Sequence, residues 1–243
     1  MSTESKGAVV VTGAGSGIGN AVARRLLEEG YAVAGWDLAE GALAGFNNPR
    51  VSFTSLDVRD KPRLLAAAEE ATRRFGAIDG LVCCAGIFKA VPFLQLDDAT
   101  WDAHFSINLK GSLFACQAVL PAMRRQQRGN IVLFASDLAR SGAPGCAHYA
   151  ASKGGILGLA RSLALETAKD GIRVNVVSPG ITDTPMPHAN FPAEVVYARG
   201  RDVPLGRIGQ PQDMAEAALF LLGDDSSYIT GQDIRVNGGA RLF

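Results

Sequence analysis

The residues of this sequence best suited to acid-base chemistry are a tyrosine and a lysine four positions apart, Tyr149 and Lys153. Residues with this spacing share one face of a helix, so both side chains should project from the same turn. An ammonium group beside a phenol favours the phenolate and should lower the pKa of Tyr149, which is about 10 in the free residue. A phenol tuned in this way can exchange a proton with an alcohol near neutral pH.

A glycine-rich turn, Thr12 to Gly19, is the second chemical feature. It follows a short apolar run and precedes a helical pattern, which is the context that a phosphate-binding loop needs. Gly13, Gly17 and Gly19 would let the backbone approach a pyrophosphate at the positive end of the helix. The alternative is an ordinary strand-to-helix connection. Asp37, which ends the next apolar run, favours the dinucleotide interpretation because its carboxylate can accept hydrogen bonds from a ribose 2′-hydroxyl.

These residues must be positioned by a framework of alternating strands and helices. Short apolar runs predict strands buried on both faces, at Ala8 to Thr12, Ala32 to Asp37, Val51 to Leu56, Gly80 to Cys84, Asn130 to Ala135, Arg173 to Ser178 and Asp233 to Asn237. Helical patterns lie between them, at Ile18 to Glu29, Lys61 to Phe75, Asp98 to Met123 and in the segment after Tyr149. Right-handed crossovers then place helices on both sides of a parallel sheet, so we predict a doubly wound α/β fold.

The domain organisation is simple. No internal repeat, low-complexity segment or linker interrupts the chain, so we predict a single domain over residues 1–243. One stretch, residues 184–209, contains several prolines and is too long for an ordinary connection. We predict that this stretch is irregular and forms a lid over the substrate.

The composition argues against several classes of function. The 24 basic and 24 acidic side chains cancel, so neither a nucleic-acid partner nor an anionic membrane surface is favoured. No apolar run approaches the roughly 18 residues of a membrane span, and a cytoplasmic location is expected. The four cysteines lack the spacing of a zinc site, and the three histidines are dispersed in sequence, so no metal is expected.

The order of these motifs resembles the classical short-chain dehydrogenase/reductase family over nearly the full length of the chain. Besides the glycine turn and the Tyr149/Lys153 pair, the resemblance is carried by Asp57-Val58, Ala85-Gly86, Asn108, Ser136 and Pro179-Gly180. It implies a Rossmann-type parallel sheet of seven strands with helices on both faces. It also implies a catalytic tetrad of Asn108, Ser136, Tyr149 and Lys153.

Each member of that tetrad has an expected role. Tyr149 would pass a proton to or from the substrate oxygen while a nicotinamide exchanges hydride with the carbon. Ser136 would fix the same oxygen through a hydrogen bond. Lys153 would hold the nicotinamide ribose, and Asn108 would order a water molecule on Lys153. Each residue alone would be ordinary, so the prediction depends on their combination.

The resemblance also implies a cofactor site along the glycine turn and the following strand ends. The expected contacts are Gly13, Ser16, Gly17, Ile18, Gly19, Asp37, Leu38, Asp57, Val58, Ala85, Gly86, Tyr149, Lys153, Pro179, Gly180, Thr182 and Thr184. The carboxylate of Asp37 would repel the 2′-phosphate of NADP. Ser16 and Leu38 stand where members that use NADP often carry a basic residue, so NAD is the expected cofactor. One departure is Cys83-Cys84, where the family usually has two asparagines; we expect these cysteines only to pack.

The predicted reaction is the NAD-dependent interconversion of a secondary alcohol and a ketone. The substrate would contact Ser136, Leu138, Cys146, Tyr149 and Met186. Because most residues expected around it are apolar, a small or medium cyclic or aliphatic alcohol is expected. An anionic substrate would instead require Lys89 or Arg140 to face inward.

Two other functions compete with this prediction. One is the reduction of 3-oxoacyl thioesters of acyl carrier protein or CoA, which usually draws on NADPH and is therefore disfavoured by Asp37. The other is a catalytically idle protein that senses NAD, which the intact tetrad disfavours because a sensor needs no proton donor. No partner besides a small-molecule substrate is expected, except further copies of the chain. Similar proteins pair the two long helices that carry Leu113 and Leu163, so a homotetramer is expected.

Overall fold

The computed structural model describes residues 5–46 and 48–242. Within these ranges, seven parallel strands form one sheet in the order β3-β2-β1-β4-β5-β6-β7. The strands are β1 (Ala8–Thr12), β2 (Ala32–Asp37), β3 (Val51–Ser55), β4 (Gly80–Cys83), β5 (Gly129–Phe134), β6 (Ile172–Pro179) and β7 (Asp233–Val236). The predicted doubly wound α/β fold and its seven strands are confirmed, with strand ends shifted by one residue at most. The ends of the predicted domain, residues 1–4 and 243, lie outside the described residues.

Helices cover both faces of the sheet. In chain order they are α1 (Gly17–Glu28), α2 (Lys61–Phe75), α3 (Asp98–His104), α4 (Gly111–Gln126), α5 (Leu138–Ser141), α6 (Ala147–Thr167), α7 (Pro185–His188), α8 (Ala193–Arg201) and α9 (Pro211–Leu222). Helices α1 and α9 pack on one face, whereas α2, α4 and α6 pack on the other. None of the helices in the described ranges is long and apolar enough to span a membrane.

The buried strands show how the sequence pattern produces the two-sided core. Val9 and Val11 of β1 point into the cluster with α1 and α9, while Val10 between them points into the opposite cluster. All three are at most 1% exposed. Since alternate residues of a strand face opposite sides and both sides are covered, every position must be apolar. Burial of each such side chain contributes roughly 1.5–3 kcal/mol.

The long helices begin and end at residues that satisfy their free backbone groups. Asp60 Oδ1 accepts a hydrogen bond from the amide of Arg63 at 3.0 Å and starts α2, which ends at Gly76 with φ of 82°. Asp97 starts α3 in the same way, because its Oδ1 accepts from the amide of Thr100 at 2.7 Å. The N-cap of α3 is therefore Asp97.

The helix predicted from Asp98 to Met123 differs from the structure. It contains a π-helical turn, Phe105–Lys110, between α3 and α4, and it continues to Gln126. The apolar pattern runs through this turn without interruption, so the sequence gives no signal for it. The turn matters because it carries Asn108, which is fully buried.

The segment of residues 184–209 is irregular only in part, which corrects the prediction. It contains the short helices α7 and α8. The prolines that suggested an irregular stretch stand where helices tolerate them, since Pro185 is in the first turn of α7 and Pro192 is the N-cap of α8. A proline at the start of a helix loses no hydrogen bond and already has a helical φ.

Candidate active site

The residues expected to bind cofactor and substrate lie at one edge of the sheet, where the parallel strands end. The glycine turn follows β1, Asp37 ends β2, and Ser136 follows β5. Asp57 and Val58 come after β3, Ala85 and Gly86 after β4, and Gly180 after β6. Ligands of open α/β sheets bind at this edge.

The glycine turn is packed too tightly for side chains. Gly13 donates a hydrogen bond to the carbonyl of Trp36 at 2.8 Å and has a φ of 70°. A Cβ at Gly13 would lie 2.7 Å from the amide nitrogen of Ala85, and one at Gly19 would collide with the carbonyl of Gly13. The turn therefore brings α1 and the segment after β4 close together, which requires glycine at both positions.

The start of α1 offers hydrogen-bond donors to a ligand. Ser16 is the N-cap, is exposed, and makes no capping hydrogen bond with its hydroxyl. No acidic side chain lies in the first turn of α1. Thr184 comes over this turn from the segment after β6, since a Cβ built on Gly17 would lie 3.5 Å from Thr184 Cβ. The helix start thus has the polarity and the open face that an anion needs.

Asp37 is held rigidly at the end of β2. Its Oδ2 accepts from the amide of Gly15 at 2.9 Å, and its Oδ1 accepts from the amide of Leu38 at 2.7 Å. The carboxylate therefore links the glycine turn to the end of β2, and its remaining lone pairs can accept further hydrogen bonds. Leu38 beside it is 68% exposed.

Asp57 and Val58 serve different structural purposes. Asp57 forms an ion pair with Arg59, whose Nη2 lies 2.5 Å from Asp57 Oδ2. The hydrogen bond from the Arg59 side chain holds the pKa of Asp57 below its usual value. Val58 is buried and lies against the start of α4, where a Cβ on Gly111 would be 2.7 Å from Val58 Cγ2.

The end of β6 is fixed by backbone contacts. Gly180, after Pro179, donates to the carbonyl of Val236 at 3.0 Å. Thr182 Oγ1 donates to the carbonyl of Gly180 at 3.1 Å, and Thr182 pairs with Gly209 in an isolated parallel bridge. These contacts place Thr182 and the segment that follows it at the same sheet edge.

Asn108 and Lys153 converge on Gly86. A Cβ built on Gly86 would lie 3.2 Å from Asn108 Oδ1 and 3.5 Å from Lys153 Nζ. Asn108 brackets Ile87, accepting from its amide at 2.8 Å and donating to its carbonyl at 3.1 Å. It also donates to Ser152 Oγ at 3.1 Å. The structure thus brings both residues to the strand end that the sequence predicts.

Lys153 is a buried cation. Its Nζ donates to the carbonyl of Phe134 at 2.8 Å. Burial lowers the pKa of Lys153 to about 8, although the neighbouring Cys84 and Cys83 thiols act in the opposite direction. The ammonium is therefore still protonated at pH 7.

Tyr149 has a higher pKa than the sequence led us to expect. Burial raises the pKa of Tyr149 to about 12; Ser136 acts against this rise and Cys146 adds to it. Lys153 Nζ lies 6.0 Å from the centre of the tyrosine ring and is bonded to Phe134 instead. The expectation that Lys153 lowers this pKa is thus wrong, because burial outweighs a cation at that distance.

The residues expected to contact the substrate differ in how directly they are connected to Tyr149. Ser136 Oγ accepts from the amide of Leu138 at 3.2 Å, which holds Leu138 beside the serine. Cys146 is the N-cap of α6 and is buried close enough to the tyrosine to affect its pKa. Met186 has no direct contact with Tyr149 among those described; its carbonyl is linked to the site through Asn190.

Comparisons with known proteins agree with this geometry. A family model described as enoyl-(acyl carrier protein) reductase matches residues 13–241. The 3-oxoacyl-(acyl-carrier-protein) reductase of Thermotoga maritima is 38% identical over 241 residues, covering 95% of this chain and 96% of that protein. The cis-4-hydroxycyclohexanecarboxylate dehydrogenase of Sinomonas cyclohexanicum is 39% identical over 236 residues, covering 95% and 94%. The crystal structure of levodione reductase matches with a TM-score of 0.90 at 32% identity, covering 97% of this chain and 98% of that one.

The chain belongs to the short-chain dehydrogenase/reductase family. As a short-chain dehydrogenase/reductase it is an oxidoreductase, and the family uses nicotinamide cofactors. The residues present fit that cofactor: α1 offers phosphate a start with no side-chain cap and no acidic residue in its first turn, and Asp37 offers a carboxylate to ribose.

Several contacts near the site of this short-chain dehydrogenase/reductase gave no signal in the sequence. Asn190 bonds to the loop after β4, and Phe88 of that loop meets the ring of Tyr149 edge-on with centroids 5.0 Å apart. His104 and His148, which are far apart in sequence, lie with ring centroids 4.2 Å apart behind the tyrosine. Burial lowers the pKa of His104. Only their type could have been noted, because these contacts arise from tertiary structure.

Proposed function

We propose that the protein is an NAD-dependent oxidoreductase that interconverts a secondary alcohol and a ketone. The observation that carries the proposal is the convergence of four side chains at the ends of β4 and β5: Asn108, Ser136, Tyr149 and Lys153. A bound nicotinamide supplies the hydride acceptor or donor. The side chains of the protein then have to position the substrate oxygen and move its proton.

Tyr149 is the proton donor and acceptor in this proposal. With a pKa near 12 its phenol is protonated at neutral pH and can donate to the oxygen of a ketone as that oxygen gains negative charge. Ser136, which interacts with the same phenol, supplies a second hydrogen bond to the oxygen. In the oxidative direction Tyr149 must accept a proton, and the Lys153 ammonium is the buried cation nearest to stabilise the phenolate.

Asp37 supports NAD rather than NADP. Two backbone amides hold its carboxylate at the end of β2, so it cannot easily turn away from the ribose. A 2′-phosphate there would face a like charge. The positions that could compensate are Ser16 and Leu38, both uncharged, and Arg59 is already bound by Asp57.

Two of the compared proteins support an alcohol or ketone of modest size, since one is named for a hydroxycyclohexanecarboxylate and the other for levodione. The second candidate function is a 3-oxoacyl thioester reductase, which is favoured by the match to the Thermotoga maritima protein. Asp37 separates the two, because a reductase drawing on NADPH would need a cation where this chain has a carboxylate.

The segment of residues 184–209 acts as a lid in this proposal, within one catalytic domain. Its contact with Gly17 through Thr184 places it over the cofactor turn, and Asn190 places it against Phe88. Closure there would shield the reacting groups from water.

We further propose a homotetramer located in the cytoplasm. An open groove of about 560 Å³ runs between α4 and α6, and its lining is mainly apolar, with Leu113, Leu120, Pro121, Leu159 and Leu163. Packing of the same groove on a second copy would bury this surface. Light scattering that gives a particle of four chains supports the assembly, whereas a single chain at micromolar concentration contradicts it. The four cysteines are unpaired, which fits a reducing compartment.

A panel of substrates tests the reaction. Secondary alcohols, diols, hydroxy acids and 3-hydroxyacyl thioesters are each assayed with NAD and with NADP. The proposal expects simple secondary alcohols or hydroxy acids with NAD to give the highest kcat/KM. If 3-hydroxyacyl thioesters with NADP exceed them by about tenfold or more, equal to ~1.4 kcal/mol, the thioester reductase is the better description.

A further inference from the structure

A line of aromatic rings extends from Tyr149 into the segment that follows β6. Phe88 meets Tyr149 edge-on at 5.0 Å, and Phe191 lies 6.2 Å from Phe88, centroid to centroid. Phe88 belongs to the loop after β4, whereas Phe191 lies between α7 and α8. The rings thus form one continuous apolar wall that leads away from the tyrosine.

A cation stands at the far end of this wall. The guanidinium carbon of Arg199 lies 4.3 Å from the ring centroid of Phe191, in cation–π contact. Arg199 is on α8, beside Gly200, where a Cβ would lie 2.6 Å from the amide nitrogen of Ile208. Val196, on the preceding turn, is fully buried. The packing of Val196 and Gly200 therefore fixes the backbone of α8 next to Arg199, and the ring of Phe191 holds the guanidinium group.

The positive charge of Arg199 affects a residue of the candidate substrate site, Cys146. Burial raises the pKa of the Cys146 thiol, and the positive charge of Arg199 acts against that rise. Cys146 caps the helix that carries Tyr149 and is itself buried. The charge of Arg199 therefore acts on a residue of the candidate substrate site, while its guanidinium contacts Phe191.

No carboxylate of the described residues lies within ion-pair distance of Arg199. The acidic residues on either side of the segment have other partners, because Asp183 bonds to His188 and Tyr197 while Asp213 bonds to Arg207. The two cations that the sequence suggested for an anionic substrate are less suitable. Arg140 is paired with Asp233, and Lys89, which is exposed like Arg199, makes no described ring contact that would hold its charge in place.

We propose that Arg199 binds a carboxylate of the substrate, at the end of the molecule distant from the reacting carbon. A guanidinium stacked on a ring keeps its edge available for the two oxygens of a carboxylate. The substrate class is then a hydroxy acid or oxo acid whose apolar body lies along Phe88 and Phe191, with its hydroxyl or carbonyl at Tyr149. This inference rests on the proposed function and narrows its substrate.

The test compares two probes of nearly the same shape, the anion 4-hydroxycyclohexanecarboxylate and the neutral 4-hydroxycyclohexanecarboxamide. Each is oxidised with NAD by the wild type, Arg199→Gln and Arg201→Gln; Arg201 is exposed on the same helix and makes no described ring contact. The wild type and the Arg201 variant should prefer the acid over the amide by about tenfold or more, and in the Arg199 variant the ratio should fall to near one, mainly through KM. A wild type without preference, or an Arg199 variant that keeps it, would overturn the proposal.

A binding measurement separates failure of this inference from failure of the proposed function. Calorimetric titration of the NADH-saturated protein with cyclohexanecarboxylate requires no turnover. We expect the wild type to bind cyclohexanecarboxylate and Arg199→Gln to bind it about tenfold or more weakly, with Arg199→Lys keeping more of the affinity than Arg199→Gln. This result supports the carboxylate site even if neither alcohol is oxidised. Equal binding by the wild type and Arg199→Gln contradicts it. The same titration with a 3-hydroxyacyl-CoA tests whether Arg199 binds a phosphate group instead. If the affinity for this ligand alone depends on Arg199, the bound anion is a phosphate and the proposal is wrong.

Discussion

Asn190 donates a hydrogen bond to the carbonyl of Phe88 at 3.1 Å, which joins the segment after β6 to the loop after β4. The same side chain accepts from the amide of Ala90 at 3.1 Å and donates to the carbonyl of Met186 at 3.0 Å. Because the ring of Phe88 lies against Tyr149, the arrangement of the segment and the surroundings of the tyrosine are coupled.

Asn190→Leu should loosen the lid without affecting the cofactor. Each lost hydrogen bond of this kind costs about 1 kcal/mol, so KM for the substrate should rise and kcat should fall, about tenfold or more in kcat/KM. The affinity for NADH should stay within about twofold, as measured by fluorescence titration. Glu194→Gln, an exposed change in the same segment, is the control. If Asn190→Leu has the kinetic constants of the wild type, the hydrogen bonds of Asn190 have no role in holding the lid.

Cofactor preference should follow the charge at the end of β2. Asp37→Asn keeps a side-chain oxygen for the amide of Gly15, and adding Leu38→Arg supplies a cation at an exposed position. The double variant should gain kcat/KM with NADP and lose it with NAD, changing the ratio by about a hundredfold. The wild type assayed with both cofactors is the reference. Equal efficiency of the wild type with NAD and NADP would show that Asp37 does not discriminate.

Lys153→Met should stabilise the protein while abolishing its activity. The pKa of Lys153 is lowered from 10.5 to about 8, so between these values the unfolded chain binds more protons and stability rises with pH; below pH 8 the full cost of the buried ammonium remains. At ~1.4 kcal/mol per pKa unit, less ~1 kcal/mol for the lost bond to Phe134, the gain at pH 7 should be about 2–3 kcal/mol.

Urea unfolding of the wild type and Lys153→Met, without cofactor, measures this at pH 7 and pH 10. The gain should be larger at pH 7, because at pH 10 most of the wild-type lysine is neutral and its burial costs less. If Lys153→Met is less stable than the wild type by the same free energy at pH 7 and at pH 10, the buried ammonium group does not destabilise the fold.

Most of the fold could be predicted from the sequence because it depends on local pattern. A strand covered on both faces must be continuously apolar, and β1 and β2 have the bounds that this rule gives. The position of the glycine turn between β1 and α1 was equally clear from the sequence, whereas its packing against Ala85 was not. The π-helical turn at Asn108 could not be predicted, because its apolar spacing resembles that of an α-helix.

The electrostatics of the site were not accessible from sequence. The spacing of Tyr149 and Lys153 predicts that they share a helix face, but it does not report that Lys153 bonds to Phe134 or that burial dominates the pKa of the phenol. Likewise, prolines marked residues 184–209 as unusual, yet whether they break helices or begin them depends on the tertiary contacts of α7 and α8. Asn190 and Arg199 acquire their significance only through those contacts.

In the proposed NAD-linked reaction the phenol of Tyr149 transfers the proton, and a comparison of two tyrosine variants with the wild type tests this role. Turnover of a secondary alcohol with NAD is measured for the wild type, for Tyr149→Phe and for Tyr228→Phe, whose ring is fully exposed. We expect Tyr149→Phe to lose 10²–10⁴-fold in kcat, roughly the contribution of a general acid or base, with unchanged affinity for NADH, while Tyr228→Phe behaves as the wild type. If Tyr149→Phe retains more than about a tenth of the wild-type turnover, the phenol is not the proton-transfer group and the account is wrong.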